Sequence, residues 1–192
     1  MAVEAVVFDV GETLVDETNM WVRAAEAAGL TPFTLMAGLG ATIALERPHD
    51  AVWSMLGVEP PAGTWTMDDW YPDACPCLER LRSAGYRVCA CGNTPAFVEQ
   101  ELAPLVDAVA SSEGLGVWKP APEFFERVVD LAGVPAERIA YVGDRVDNDV
   151  APAIAAGMTG VHIRRGPWGY LQEPPADAIR IASLDELPEV LA

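Results

Sequence analysis

At 192 residues, 51% of them hydrophobic, the chain is long enough to bury a substantial core plus a small accessory unit, which excludes a disordered polymer. Its 12 basic and 29 acidic residues give a formal net charge of −17, a surface that repels phosphate backbones and anionic lipid. Nucleic acid and membrane are therefore not expected partners, and a small acidic substrate needs a local cation or metal to reverse the field. The acidic start lacks a basic stretch and a cleavage site, so the expected location is cytoplasmic.

The opening run Ala2-Val-Glu-Ala-Val-Val-Phe-Asp-Val-Gly-Glu-Thr-Leu14 reads as a short strand that stops at Asp9 and turns through Gly11. Helices are expected over 20–28, ended by Gly29, from Thr31-Pro32 toward Glu46, and over 48–56, ended by Gly57. Ala27 to Leu45 is 19 residues without a charge, but its glycines, proline and threonines fit buried helices better than a membrane span. Residues 59–73, with three prolines, Trp65 and Trp70, read as an ordered loop. The stretch 16–73 is thus a small helical insertion after the first strand.

From Ala74 helices and strands alternate. Strands are expected over 86–91, 107–111, 139–142, 159–163 and 179–181, with helices over 77–84, from Pro95, from Pro122, over 147–156 and from Ser183. That alternation predicts an α/β, Rossmann-like, doubly wound parallel sheet over residues 1–15 and 74–192. The four cysteines form two pairs, Cys75/Cys77 and Cys89/Cys91, a spacing that zinc sites can use. Because Cys89 and Cys91 fall inside a strand, reduced core cysteines are the favoured reading.

In a parallel sheet the strand ends converge on one edge, where ligands bind. Asp9, Asp144 and Asp149 would meet there, and three carboxylates in one pocket need a cation. A hard ion such as Mg²⁺ meets that need. Lys119 offers a charge that keeps an acid ionised and pairs with phosphate, and the N–H groups of Gly92, Asn93 and Thr94 offer an anion cradle. These are parts for phosphoryl transfer through an aspartyl phosphate. Arg47 and His49, beside Pro48 in the insertion, fit a solvated helix start better than the alternative, substrate contacts. Arg164 to Gly169 is a basic spot whose simplest role is loop anchoring by Trp168.

Phe8-Asp-Val-Gly-Glu-Thr-Leu14, Gly92-Asn93, Val117-Trp-Lys-Pro-Ala-Pro-Glu-Phe-Phe125 and Tyr141-Val-Gly-Asp-Arg-Val-Asp-Asn-Asp149 together resemble the haloacid dehalogenase superfamily. The resemblance implies that the insertion is a cap and that Asp9 is the nucleophile. It implies Mg²⁺ on Asp9, the Gly11 carbonyl and Asp144, with Asp149 as an acidic outer partner and Lys119 as the balancing charge. Gly92, Asn93, Thr94 and Lys119 would hold the substrate, a small phosphorylated molecule. Two positions depart from the pattern: Gly11 stands where phosphatases carry a second, acid–base aspartate, and Gly92 where they carry Ser or Thr. Loss of the acid favours good leaving groups such as acyl or aryl phosphates, with Glu12 as a candidate substitute. The expectation is therefore Mg²⁺-dependent hydrolysis of a small phosphate ester or acyl phosphate. The alternatives are a 2-haloacid dehalogenase-like hydrolase and a catalytically weakened binding or regulatory protein.

Overall fold

The structure, a computed structural model, describes residues 2–63 and 66–192, so Trp65 of the expected 59–73 loop lies outside the described residues. The strands are β1 (Ala5–Phe8), β2 (Arg87–Gly92), β3 (Ala108–Ser111), β4 (Ile139–Gly143), β5 (Thr159–Ile163) and β6 (Ile179–Ile181). The helices are α1 (Thr18–Ala27), α2 (Pro32–Ala44), α3 (Ala51–Leu56), α4 (Ala74–Ser83), α5 (Val98–Leu102), α6 (Ser112–Leu115), α7 (Pro122–Ala132), α8 (Ala151–Ala155), α9 (Gly166–Leu171) and α10 (Leu187–Val190).

Among the described residues the six strands form one parallel sheet in the order β3-β2-β1-β4-β5-β6. β1 is central and all four of its residues are fully buried, which is why its sequence is continuously apolar and does not alternate. The chain winds outward from β1 to β3, then returns to β4 on the other side of β1. That reversal is a topological switch point, and it lies between the strands that end at Asp9 and Asp144.

Two cores cover the sheet. Val6, Phe8, Val88 and Ala90 pack with Cys77, Leu78 and Leu81 of α4. On the opposite face Val7, Cys89, Cys91 and Tyr141 pack with Phe124, Phe125 and Val128 of α7. The two cysteine pairs are thus divided by the sheet, with Cys89 and Cys91 serving as core residues. A third cluster joins Ala24, Ala25, Leu35, Leu39, Ile43 and Val52 of α1–α3 to Trp168 of α9.

Thr31 caps α2 through a bond from the Thr34 amide, with Pro32 in the first turn. The helix then runs unbroken through Gly38 and Gly40. A Cβ at Gly38 would lie 2.8 Å from Val52 Cγ2, so glycine there permits α3 to pack closely. No single described helix is long and apolar enough to cross a membrane; α1 and α2 meet at 112°.

Differences from expectation cluster near the sheet edge. In place of a helix over 147–156, a π-helical turn spans Val146–Val150 before α8, and both the Asp149 and Val150 amides bond to the Arg145 carbonyl. The extra residue in that turn brings Asp149 under Gly143. The short helices α6 and α9 carry too few residues to show a period, and neither was expected. The last helix is a 3₁₀ turn, Leu184–Glu186, running into α10, begun by a capping box of Ser183 and Glu186.

Candidate active site

β1 continues one residue past its last pair, as the Asp9 amide donates to the Val142 carbonyl at 2.8 Å. The chain then curls tightly: the Leu14 and Val15 amides both donate to the Val10 carbonyl, and the Glu12 amide to the Val15 carbonyl. These bonds leave the Gly11 carbonyl outside the ladder. Glu12 takes a φ of 51°, a left-handed conformation uncommon for a residue with a side chain.

Lys119 reaches the edge from the loop between α6 and α7. Its main chain is held on both sides by one side chain: the Lys119 amide donates to Asn93 Oδ1 at 2.8 Å, and Asn93 Nδ2 donates to the Lys119 carbonyl at 3.1 Å. The ammonium, 2% exposed, lies 2.6 Å from both Asp9 Oδ1 and Asp149 Oδ1. Burial alone would lower its pKa, but Asp149 and Asp9 outweigh that and hold it well above the usual lysine value. Asp149 also accepts from the Arg145 amide at 3.0 Å. Burial pushes its carboxyl up to about 6, with Lys119 opposing and Asp9 adding to the rise.

Asp144 is the contrasting acid. Its carboxyl is raised well above the usual range by burial and by Asp149 and Asp9, and its buried Oδ2 has no hydrogen-bond partner. Oxygens of Asp9, Asp144 and Asp149 lie within 4.8 Å of one another. An unpartnered buried carboxylate oxygen in a set of hard oxygen donors fits a divalent cation such as Mg²⁺.

Three glycines admit these carboxylates by lacking a Cβ, and none of them has a positive φ. A Cβ at Gly92 would overlap the Asp9 carboxylate, and one at Gly143 would overlap Asp149. A Ser or Thr at 92 would therefore push Asp9 off Lys119. Asn93 serves Lys119, and Thr94 Oγ1 is buried without a partner. A Cβ at Gly11 would overlap the carboxylate of Glu17.

Glu17, just before α1, is the group that reading the sequence missed. Its Oε2 accepts from Trp21 Nε1 at 3.2 Å, and it lines the same cavity as Asp9, Lys119 and Asp144. Enclosure of the carboxyl, then the Glu12 and Asp9 carboxylates, push it up to about 8, so it is largely protonated at neutral pH. Glu12, the expected substitute, has both oxygens engaged, by the Tyr71 hydroxyl at 2.6 Å and the Glu17 amide at 3.0 Å. The sequence offered no local signal for this, because Gly11 reads as a turn residue; only its backbone, without a positive φ, shows that the glycine makes room for Glu17.

The cavity measures about 240 Å³. Its floor is Asp9, Asn93, Lys119 and Asp144, and its walls include Trp21, His49, Trp53 and Trp168. Arg47 is not among the lining residues. Arg165 is buried under the turn, donating to the Thr13 carbonyl at 2.8 Å and to Asp73, with its guanidinium 4.2 Å from the Tyr71 ring.

Comparison with known proteins agrees with this architecture. Glyceraldehyde 3-phosphate phosphatase of Methanopyrus kandleri is 34% identical over 127 residues, 63% of this chain and 54% of that protein. (S)-2-haloacid dehalogenase 4A of Burkholderia cepacia is 31% identical over 130 residues, 64% and 55% of the two chains. The match spans about half the length of these curated relatives. A crystal structure described as a dehalogenase superposes with a TM-score of 0.72 at 24% identity, over 99% of this chain and 97% of that one, which speaks to the fold alone. The family model for haloacid dehalogenase-like hydrolases matches residues 3–157, and the chain belongs to that family.

Proposed function

We propose that this protein hydrolyses a small phosphate ester through an aspartyl phosphate on Asp9. The observation that carries the reading is the pairing of Asp9 with Lys119 at 2.6 Å, beside a buried Asp144 oxygen that has no partner. Lys119, 2.6 Å from its Oδ1, orients the Asp9 carboxylate and balances its charge in a buried site. An Asp9 oxygen forms the bond to phosphorus as the ester P–O bond breaks, and the departing oxygen takes the proton of the Glu17 carboxyl. Water then cleaves the acyl phosphate, releasing phosphate and restoring both carboxyl groups. Glu17 is assigned by position: its carboxyl fills the space over Gly11, while Glu12 is tied to Tyr71. Held by Asp9, the Gly11 carbonyl and Asp144, Mg²⁺ would supply positive charge to the phosphoryl oxygens. In this reading α1–α3 act as a cap, and Asn93 positions Lys119.

The second reading is displacement of halide from a 2-haloacid by Asp9. It is favoured by Gly11, since halide leaves without a proton. One assay separates them: phosphate and halide release, with and without Mg²⁺, for wild type and Asp9→Asn. The expected result is Mg²⁺-dependent phosphate release that falls by about 10⁴ to 10⁶ in Asp9→Asn. Halide release without metal would replace the first reading by the second.

A further inference from the structure

We infer that the substrate carries its phosphate on an uncharged one- or two-ring aromatic group, seated against the wall of Trp21, His49, Trp53 and Trp168. This rests on the reaction proposed above and names the chemistry of the group it releases.

The wall is built before any ligand arrives. Trp21 and Trp53 stack with centroids 6.4 Å apart and planes at 29°. His49 meets Trp21 edge-on at 6.2 Å and Trp168 edge-on at 6.3 Å. Trp168 is 4% exposed and anchored in the core of the helical insertion, while Trp21 and Trp53 are half-buried. A fixed aromatic surface gives large contact area with little side-chain ordering on binding.

The polar inventory favours an uncharged ring over other small substrates. The Trp21 N–H is taken by Glu17. Arg145 is committed to Asp147 through two bonds, at 2.7 and 3.2 Å, and lies over the Trp168 ring at 4.7 Å. His49 Nδ1 lies 3.5 Å from Arg145 Nη1, and the lining adds the neutral amide of Asn148, with Glu12 and Glu17 as acids. A second anionic group would have to compete with Asp147 for Arg145. The hydroxyls of a triose or glycerol phosphate would face indole rings and lose water without replacement. A quaternary ammonium at Trp168 would compete with Arg145, which already occupies the face of that ring. Size agrees as well: a cavity of about 150 Å³ accepts benzene, and this one is about 240 Å³, with the phosphate lying on its polar floor.

The test compares benzyl phosphate and 1-naphthylmethyl phosphate with glycerol 1-phosphate and phosphocholine. All are esters of primary alcohols, so leaving-group basicity does not decide the outcome. The ring esters are expected to show kcat/KM about 30-fold higher, mainly through KM. Trp53→Ala is expected to cut that ratio about tenfold, and Trp53→Phe to restore most of it. Glycerol 1-phosphate or phosphocholine turned over as well as the ring esters would overturn the inference. If no ester gives Asp9-dependent turnover, the proposed reaction fails, and the wall is judged by tryptophan fluorescence. Benzylphosphonate binding more tightly than methylphosphonate then supports it, and equal binding overturns it.

Discussion

The floor of the cavity and its wall solve opposite problems. On the floor, charge is concentrated out of water: Lys119 is shared by Asp9 and Asp149, and Asp144 keeps an oxygen unpartnered. On the wall, polar atoms are consumed locally and rings are turned toward the cavity. The floor stands at the ends of strands that the sheet fixes from both sides. The wall stands on short helices with a core of their own. The contrast teaches where each property resides: reactivity depends on the sheet's register, and selection on the insertion helices together with Trp168, which ties them to the sheet's edge. Glu17 belongs to both, since it begins α1 yet lies against Gly11.

Lys119→Met should break the floor most severely. Two buried carboxylates lose their cation, which costs about 3–5 kcal/mol of stability together with activity. Urea unfolding with an unchanged m-value would read it, and a loss under 1 kcal/mol would show that the trio is not coupled. Glu17→Gln comes next. Turnover of an alkyl phosphate should fall about 10² to 10⁴-fold, while p-nitrophenyl phosphate, whose leaving group needs no proton, falls far less. Equal losses on both would remove Glu17 from proton transfer.

Asp73 sharpens the boundary between floor and wall, because Arg165 joins it to the turn below Glu12. Burial would raise its carboxyl, but the Ser183 hydroxyl, Arg165 and the Leu184 amide hold it below the usual value. A carboxyl depressed on folding adds stability that is fully present above its unfolded pKa of about 3.9 and is lost as pH falls through the folded value. Asp73→Asn should therefore cost about 2–3 kcal/mol at pH 7, and the gap to wild type should shrink below pH 4. A gap independent of pH would assign the loss to packing. Thr31→Ala, on the wall side, should cost about 1 kcal/mol through the α2 cap. It should leave the Mg²⁺ dependence of phosphate release unchanged, and a changed dependence would show that the α2 cap is coupled to the floor.

The floor was legible in the sequence because a parallel sheet places every strand's end on one edge, whatever fills the connections. An apolar run stopping at Asp9, and another stopping at Gly143-Asp144, are enough to bring the two acids together. Asn93 could be placed there too, but its grip on the Lys119 main chain pairs loops 26 residues apart, and no local pattern encodes that. The π-helical turn at Val146–Val150 looked helical because its hydrogen-bond span exceeds that of an α-helix by a single residue. The wall was least legible. Trp21, His49 and Trp53 come together only through the angle between α1 and α2 and the close approach of α3 at Gly38, and these are packing outcomes.

The overlap between Gly11 and Glu17 also constrains ancestry. A side chain at position 11 and a carboxyl group from position 17 compete for one volume, so a lineage cannot hold both in these conformations. An aspartate at 11 would require the Glu17 carboxylate to move from its present place. The two positions should therefore covary across descendants of this chain, with acid at one and a small or redirected residue at the other.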